Sequence, residues 1–100
     1  MSQIEQYISD IKRLCAQHKV RRLYAFGSVL TDRFATESDV DLIVDFEPLD
    51  VGQYADNYFN LKFALEDTLR RSVDLLEEKT IRNPYFRHVI EQQRQLIYGD

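Results

Sequence analysis

Residues 27–46 read GSVLTDRFATESDVDLIVDF, and this stretch decides how the rest of the chain is interpreted. It begins with a Gly-Ser turn, continues as a polar loop, and ends in an apolar run that carries two aspartates two residues apart. Side chains of a strand alternate between its faces, so Asp39 and Asp41 are predicted to share one face while Val40 points to the other. Two adjacent carboxylates repel each other, and a divalent cation bound between them removes that repulsion. We therefore predict a metal-binding pair at the start of this strand.

The composition predicts one globular domain that spans residues 1–100. The chain is 44% hydrophobic and 30% charged, and its net charge of −4 argues against binding nucleic acid by general attraction to phosphates. Cys15 is the only cysteine, which excludes an internal disulfide and a cysteine-based zinc site. We recognise neither a secretory signal nor an 18-residue apolar run, so we expect a cytoplasmic protein without membrane association.

Hydrophobic periodicity predicts alternating helices and strands. The predicted elements are a helix ending near His18, strands 23–26 and 40–46, a helix over 51–71, a strand over 72–76, and a helix from Asn83-Pro84 to Gly99. This order predicts a small α/β domain in which helices pack on one side of a short sheet.

A third aspartate repeats the pattern of the first two. Asp74 is flanked by apolar residues in the third predicted strand, so it faces away from the apolar side of that strand. If this strand lies beside the one that carries Asp39 and Asp41, three carboxylates converge and can hold two Mg²⁺ ions about 3.5–4 Å apart. At the Gly27-Ser28 turn, glycine permits close approach of a phosphate, and the serine hydroxyl can donate a hydrogen bond to it.

Three motifs thus follow one another along the chain: Gly27-Ser28, then Asp39-Val40-Asp41 after ten intervening residues, and finally Val73-Asp74-Leu75. In this order they resemble the polymerase-beta-type nucleotidyltransferase superfamily. The small size matches its minimal members, in particular those encoded beside HEPN-domain proteins in prokaryotic toxin–antitoxin pairs. The resemblance covers nearly the whole chain and implies a mixed sheet backed by helices.

The resemblance also implies roles for the motif residues. Asp39 and Asp41 would bind Mg²⁺, Asp74 would complete the metal site and help to activate the acceptor, and Gly27 and Ser28 would bind the triphosphate. The implied reaction moves a nucleoside monophosphate from a nucleoside triphosphate to a hydroxyl and releases pyrophosphate. In the toxin–antitoxin members, this means transfer of AMP from ATP to a tyrosine of the HEPN ribonuclease.

The loop after Ser28 departs from the family pattern. Many relatives have basic residues there, whereas this chain has residues 29–32, which read VLTD, followed by Arg33. Arg33 is therefore the candidate for the basic contact to phosphate, from a shifted position.

Two alternative functions remain compatible with the sequence. The protein could neutralise its toxin by binding alone, as a homo- or hetero-oligomer, or it could nucleotidylate a small-molecule hydroxyl. Aromatic side chains bear on the first alternative, because tyrosines are enriched at protein interfaces. Tyr54, Tyr58, Tyr85 and Tyr98 fit either an interface or the edge of the core.

Overall fold

The computed structural model describes residues 5–26 and 39–99. Helices and strands follow one another in these residues as α1 (Ile8–Gln17), β1 (Val20–Phe26), β2 (Val40–Phe46), α2 (Val51–Leu69), β3 (Val73–Glu77), a 3-10 helix (Glu78–Thr80), α3 (Pro84–Gln93) and β4 (Gln95–Tyr98). This architecture confirms the predicted α/β class. In the same residues, no helix is both long enough and apolar enough to cross a membrane.

The four strands form one mixed sheet in the order β3-β2-β1-β4. Strand β1 pairs antiparallel with both β2 and β4, whereas β2 and β3 run parallel. Parallel neighbours require a crossover connection, and α2 provides it. The predicted adjacency of the third strand and the Asp39–Asp41 strand is therefore confirmed.

The main core lies between one face of this sheet and the helices α1 and α2. Val40, Leu42 and Val44 of β2 point into it and are at most 1% exposed. Leu61 and Leu65 of α2 are fully buried against them. Burying aliphatic side chains of this size contributes about 1.5–3 kcal/mol each, so this register of β2 is strongly favoured. The aspartates between these residues are consequently held on the opposite face.

The opposite face is also covered in its middle, which corrects the expectation that helices pack on one side only. Ile43 lies on the Asp41 face of β2 and is fully buried. Its partner in β1 is Tyr24, and the guanidinium carbon of Arg94, directly after α3, lies 4.0 Å from the centroid of the Tyr24 ring. Because Ile43 is apolar, this face needs cover there, and Arg94, which follows α3, covers the neighbouring Tyr24 ring.

The C-terminal region contains a helix and a strand, whereas the sequence predicted a single helix ending at Gly99. Helix α3 begins as predicted, because the Asn83 side chain accepts hydrogen bonds from the backbone N–H groups of Tyr85 and Phe86 at 2.9 and 3.1 Å. It ends at Gln93, and the next residues pair antiparallel with β1 as β4. The predicted helix over 94–98 was therefore wrong.

The physical reason for this difference is that two patterns coincide at Ile97. Ile97 continues the helical spacing of α3, but it also fits a strand in which one side chain enters the main core, where it is buried. Pairing with β1 favours the strand, because β1 would otherwise be an unpaired edge. Gly99 then ends β4 with φ +99°, and a Cβ at that position would collide with the carbonyl oxygen of Arg21.

Candidate active site

Asp41 and Asp74 occupy neighbouring positions on the two parallel strands. The register pairs Asp41 directly with Asp74, and the buried residues on either side of them pair in the same way. Adjacent strands lie about 4.8 Å apart, so the two carboxylates project side by side from the face opposite the main core. Asp74 is exposed and Asp41 is half-buried. A reactant that approaches this face can therefore reach Asp74.

Asp39 joins this pair from the residue before β2. The next residue, Val40, donates its N–H to the carbonyl oxygen of Ser72 at 2.9 Å, which ties the start of β2 to the start of β3. The pKa of Asp41 is raised, first by its partial burial and then by the negative charges of Asp74 and Asp39. The charges of Asp39 and Asp74 therefore both act on Asp41.

Two side chains of α2 fix the strand that carries Asp74. The Glu66 carboxylate accepts the N–H of Val73 at 2.9 Å, and the Tyr58 hydroxyl donates to the carbonyl oxygen of Leu75 at 2.5 Å. These bonds hold the residues immediately before and after Asp74. The sequence analysis did not identify Glu66, and it considered Tyr58 only as an edge or interface residue. Their separation of eight residues, two helical turns, was the available signal.

The negative charges near this site also affect the pKa of Tyr58. Its pKa is raised by burial and by the negative charges of Glu77 and Asp74. A tyrosine hydroxyl is protonated at neutral pH, and the raised pKa extends this state to more alkaline pH, so Tyr58 remains the donor to β3. We infer a positioning role for it, since its hydroxyl is already engaged by the backbone.

The donor set fits Mg²⁺ in its chemistry. Asp39, Asp41 and Asp74 offer only carboxylate oxygens, which are the hard ligands that this ion prefers. A cation there would also relieve the repulsion that raises the pKa of Asp41. Within residues 5–26 and 39–99, however, no three His, Cys, Asp or Glu side chains form a ready-made metal cluster. Shared ligation would therefore require the carboxylates to rotate towards one another.

The other predicted site residues lie outside the described residues. Gly27, Ser28 and Arg33 all fall between β1 and β2, in residues 27–38. Their contact with phosphate remains a prediction.

Three of the four tyrosines take the core-edge role considered for them. Tyr54, Tyr58 and Tyr98 are half-buried and pack against the main core, as expected for core-edge residues. Tyr85 is exposed on α3.

The family to which the chain belongs follows from comparison with known proteins. A family model described as "Polymerase beta, Nucleotidyltransferase" matches residues 9–100. The chain belongs to this family. It is accordingly a nucleotidyltransferase.

A curated relative supports the same conclusion. This nucleotidyltransferase is 32% identical over 99 residues to a protein of Methanocaldococcus jannaschii. That protein is named, on inferred activity, a protein adenylyltransferase. The match covers 98% of this chain and 96% of that protein.

Solved structures share the fold. One of them is named, on inferred activity, a minimal nucleotidyltransferase. It superposes with a TM-score of 0.76 at 30% identity and covers 92% of this chain and 90% of that chain. A second is the complex of the tri-AMPylated Shewanella oneidensis HEPN toxin with its MNT antitoxin. It matches with a TM-score of 0.67 at 21% identity, over 96% of this chain and 72% of that chain, which is a likeness of fold.

Proposed function

We propose that this nucleotidyltransferase moves AMP from ATP to a tyrosine hydroxyl of a HEPN-domain ribonuclease and thereby acts as its antitoxin, with Mg²⁺ as cofactor. The observation that carries the proposal is the in-register pairing of Asp41 with Asp74 beside Asp39. The adenylyl group is supported by the name of the M. jannaschii relative. The HEPN partner and the antitoxin role are supported by the similar fold found in the Shewanella complex.

The three aspartates would hold the metal. Mg²⁺ bound there neutralises charge on the phosphates and lowers the pKa of an attacking hydroxyl. The protein's own contribution is to fix Asp41 and Asp74 on adjacent strands, so that their carboxylates need only side-chain rotation to act together. Preorganisation of this kind lowers the barrier because little of the protein has to move during the reaction.

Asp74 is the proposed proton acceptor. The acceptor oxygen forms a bond to the α-phosphorus while the bond from that phosphorus to the bridging oxygen breaks, and pyrophosphate leaves with the electron pair. The proton of the attacking hydroxyl passes to the Asp74 carboxylate. Its exposure supports this role, since a protein side chain can approach it. Gly27, Ser28 and Arg33 are proposed to bind the triphosphate.

The arrangement of charge favours catalysis over neutralisation by binding alone. Like charges directly opposite each other on neighbouring strands destabilise a sheet by about 0.2–1 kcal/mol. Complex formation gives no reason to place aspartates at paired positions on one face. Nucleotidyl transfer does, because the repelling carboxylates become ligands.

The test is nucleotide transfer to a purified partner. A HEPN-domain protein, sought first in the neighbouring open reading frame, is incubated with this chain, Mg²⁺ and ATP, and is then separated under denaturing conditions for intact-mass and peptide mass spectrometry. We expect an AMP adduct on a tyrosine of the partner. The ribonuclease activity of the repurified, modified partner should remain low.

The matched variants are Asp39→Asn and Asp50→Asn. Asp50 is exposed and makes no side-chain cap to α2, so its substitution should leave transfer unchanged. Asp39→Asn should abolish the adduct. A different result would contradict the proposal: the ribonuclease is inhibited only in a stoichiometric complex, without ATP, and equally by Asp39→Asn. The protein would then act as an antitoxin by binding alone. An adduct on a small hydroxylated molecule alone would point to the third function.

A further inference from the structure

Helix α2 presents two exposed phenylalanines on the side away from the core. Phe59 is 48% exposed and Phe63 is 58% exposed, and their rings stack with centroids 6.0 Å apart and planes inclined by 27°. Aromatic side chains are the usual anchors of protein interfaces. Stacking fixes the two rings relative to each other, so binding a partner costs little conformational entropy of these side chains.

Acidic residues flank the two rings along the same stripe. Asp56 precedes Phe59 by three residues and Asp67 follows Phe63 by four, so all four side chains share one face of the helix. All four are exposed. Within α2, the exposed charged residues are these two aspartates, whereas Lys62 is half-buried on another face. We call these four residues the Phe59–Phe63 stripe.

The charge of the stripe disfavours a second copy of this chain as its occupant. In a two-fold pair with antiparallel α2 helices centred on the stacked rings, Asp56 of one copy lies opposite Asp67 of the other. The two contacts that flank the rings would then join like charges, which costs affinity. A partner with lysine or arginine on both sides of an apolar centre fits the stripe instead.

The stripe is connected to the candidate active site through Tyr58. The rings of Phe59 and Tyr58 meet edge to face with centroids 5.0 Å apart. The Tyr58 hydroxyl donates to the carbonyl oxygen of Leu75, the residue after Asp74. Asp74 itself projects from the sheet face that α2 does not cover, so a protein docked on the stripe presents its hydroxyl to Asp74 by reaching around the β3 edge.

We propose that the Phe59–Phe63 stripe is the docking surface for the acceptor protein, which contacts it through an apolar centre flanked by basic side chains. This inference rests on the proposed transfer to a protein hydroxyl and adds the surface that selects the acceptor. Docking contributes to recognition of the acceptor, so it should determine KM for the protein acceptor and leave the chemical step unchanged.

The experiment compares kinetics for the HEPN-domain acceptor in three variants. Phe59→Ser combined with Phe63→Ser should raise KM for the acceptor by about tenfold or more, with kcat at saturation within about twofold. Asp56→Lys combined with Asp67→Lys should raise KM by about three- to tenfold and weaken or reverse its dependence on salt. Val51→Ser is the matched control, because Val51 is 94% exposed at the first position of α2, outside the stripe, and should leave KM unchanged.

The outcomes separate this inference from the proposed function. Circular dichroism and thermal melting first establish that each variant is folded. Transfer by the wild type together with an unchanged KM in the Phe59/Phe63 variant overturns the docking surface and leaves the proposed function in place. No transfer by the wild type overturns the proposed function. A wild-type dimer in sedimentation analysis that becomes monomeric in the Phe59/Phe63 variant assigns the stripe to a second copy and overturns the inference.

Discussion

The two ends of β2 carry aspartates on the same face, but their surroundings are opposite. The Oδ2 atom of Asp45 lies 3.8 Å from Nη1 of Arg21 and 3.8 Å from Nη1 of Arg22. The negative charge of Asp45 is therefore balanced by positive charges. Asp41 lies beside Asp74 and near Asp39, and its pKa is raised by burial and by both charges. One strand thus holds a balanced aspartate at one end and repelling aspartates at the other.

The difference comes from the partner strands. At the Asp45 end, antiparallel β1 places Arg22 in register with the aspartate. At the Asp41 end, parallel β3 contributes Asp74. An open cavity at the Asp45 end, lined by Val20, Arg21, Arg22, Glu47, Tyr98 and Gly99, includes none of the candidate site residues. A cavity and a charged strand residue are therefore insufficient signs of the active site, whereas the imbalance of charge is informative.

The largest expected effect is on transfer. Asp41→Asn should lower the rate of AMP incorporation at least about 100-fold, since lost stabilisation of phosphate charge raises the barrier by several kcal/mol. Asp45→Asn makes the same substitution on the same face and should retain most activity. Incorporation of label from ATP labelled at the α-phosphate measures both. Equal losses in the two variants would remove the distinction between the two ends.

A smaller effect concerns metal binding without any substrate. At about ten times its dissociation constant, Mg²⁺ should stabilise the wild type by about 1.4 kcal/mol. For a chain of this size, that raises Tm by roughly 5–10 °C. Thermal melting with Mg²⁺ or with EDTA should show this shift in the wild type and in Asp45→Asn, but not in Asp41→Asn. A full shift in Asp41→Asn would place the metal elsewhere.

The smallest effect is a difference of sign in stability. In EDTA at neutral pH, Asp41→Asn should raise the free energy of unfolding by about 0.2–1 kcal/mol, because it removes a cross-strand repulsion. Asp45→Asn should lower it by a similar amount, about 0.2–1 kcal/mol, because it removes partly exposed ion pairs.

The stability gained by Asp41→Asn should depend on pH in a defined direction. Ionisation of Asp41 penalises the folded state, because its pKa is raised there relative to the unfolded chain. The penalty disappears as the pH falls through this pKa, so the advantage of Asp41→Asn should vanish at acidic pH. Urea unfolding at several pH values measures it, and an advantage that persists in acid would show that its origin is not this charge.

The parts of the fold that depend on local alternation were predictable from the sequence. The apolar and acidic positions of β2 and β3 alternate, so the face of Asp41 and of Asp74 followed from parity alone. The fourth strand was not predictable in this way, because the spacing of Ile97 fits a helix as well as a strand. Only its pairing with β1, a contact distant in sequence, decides between them.

The same limit applies to the candidate site. The three aspartates could be named from the sequence, but the register that pairs Asp41 with Asp74 depends on how α2 crosses the sheet. The contact of Glu66 with β3 has the same origin, because it depends on tertiary packing. Balance of Asp45 by Arg21 and Arg22 likewise required the pairing of β1 with β2.

The two bonds from α2 to β3 have a consequence for self-association. Strand β3 is an edge of the sheet, and the bond from Val40 N–H to Ser72 fixes the alternation by which the Val73 N–H and the Leu75 carbonyl point away from β2. Unpaired groups of this kind are where a foreign strand adds to a sheet and where aggregation begins. Glu66 and Tyr58 already occupy these two groups, so the contacts that steady Asp74 also leave fewer groups on this edge for strand addition.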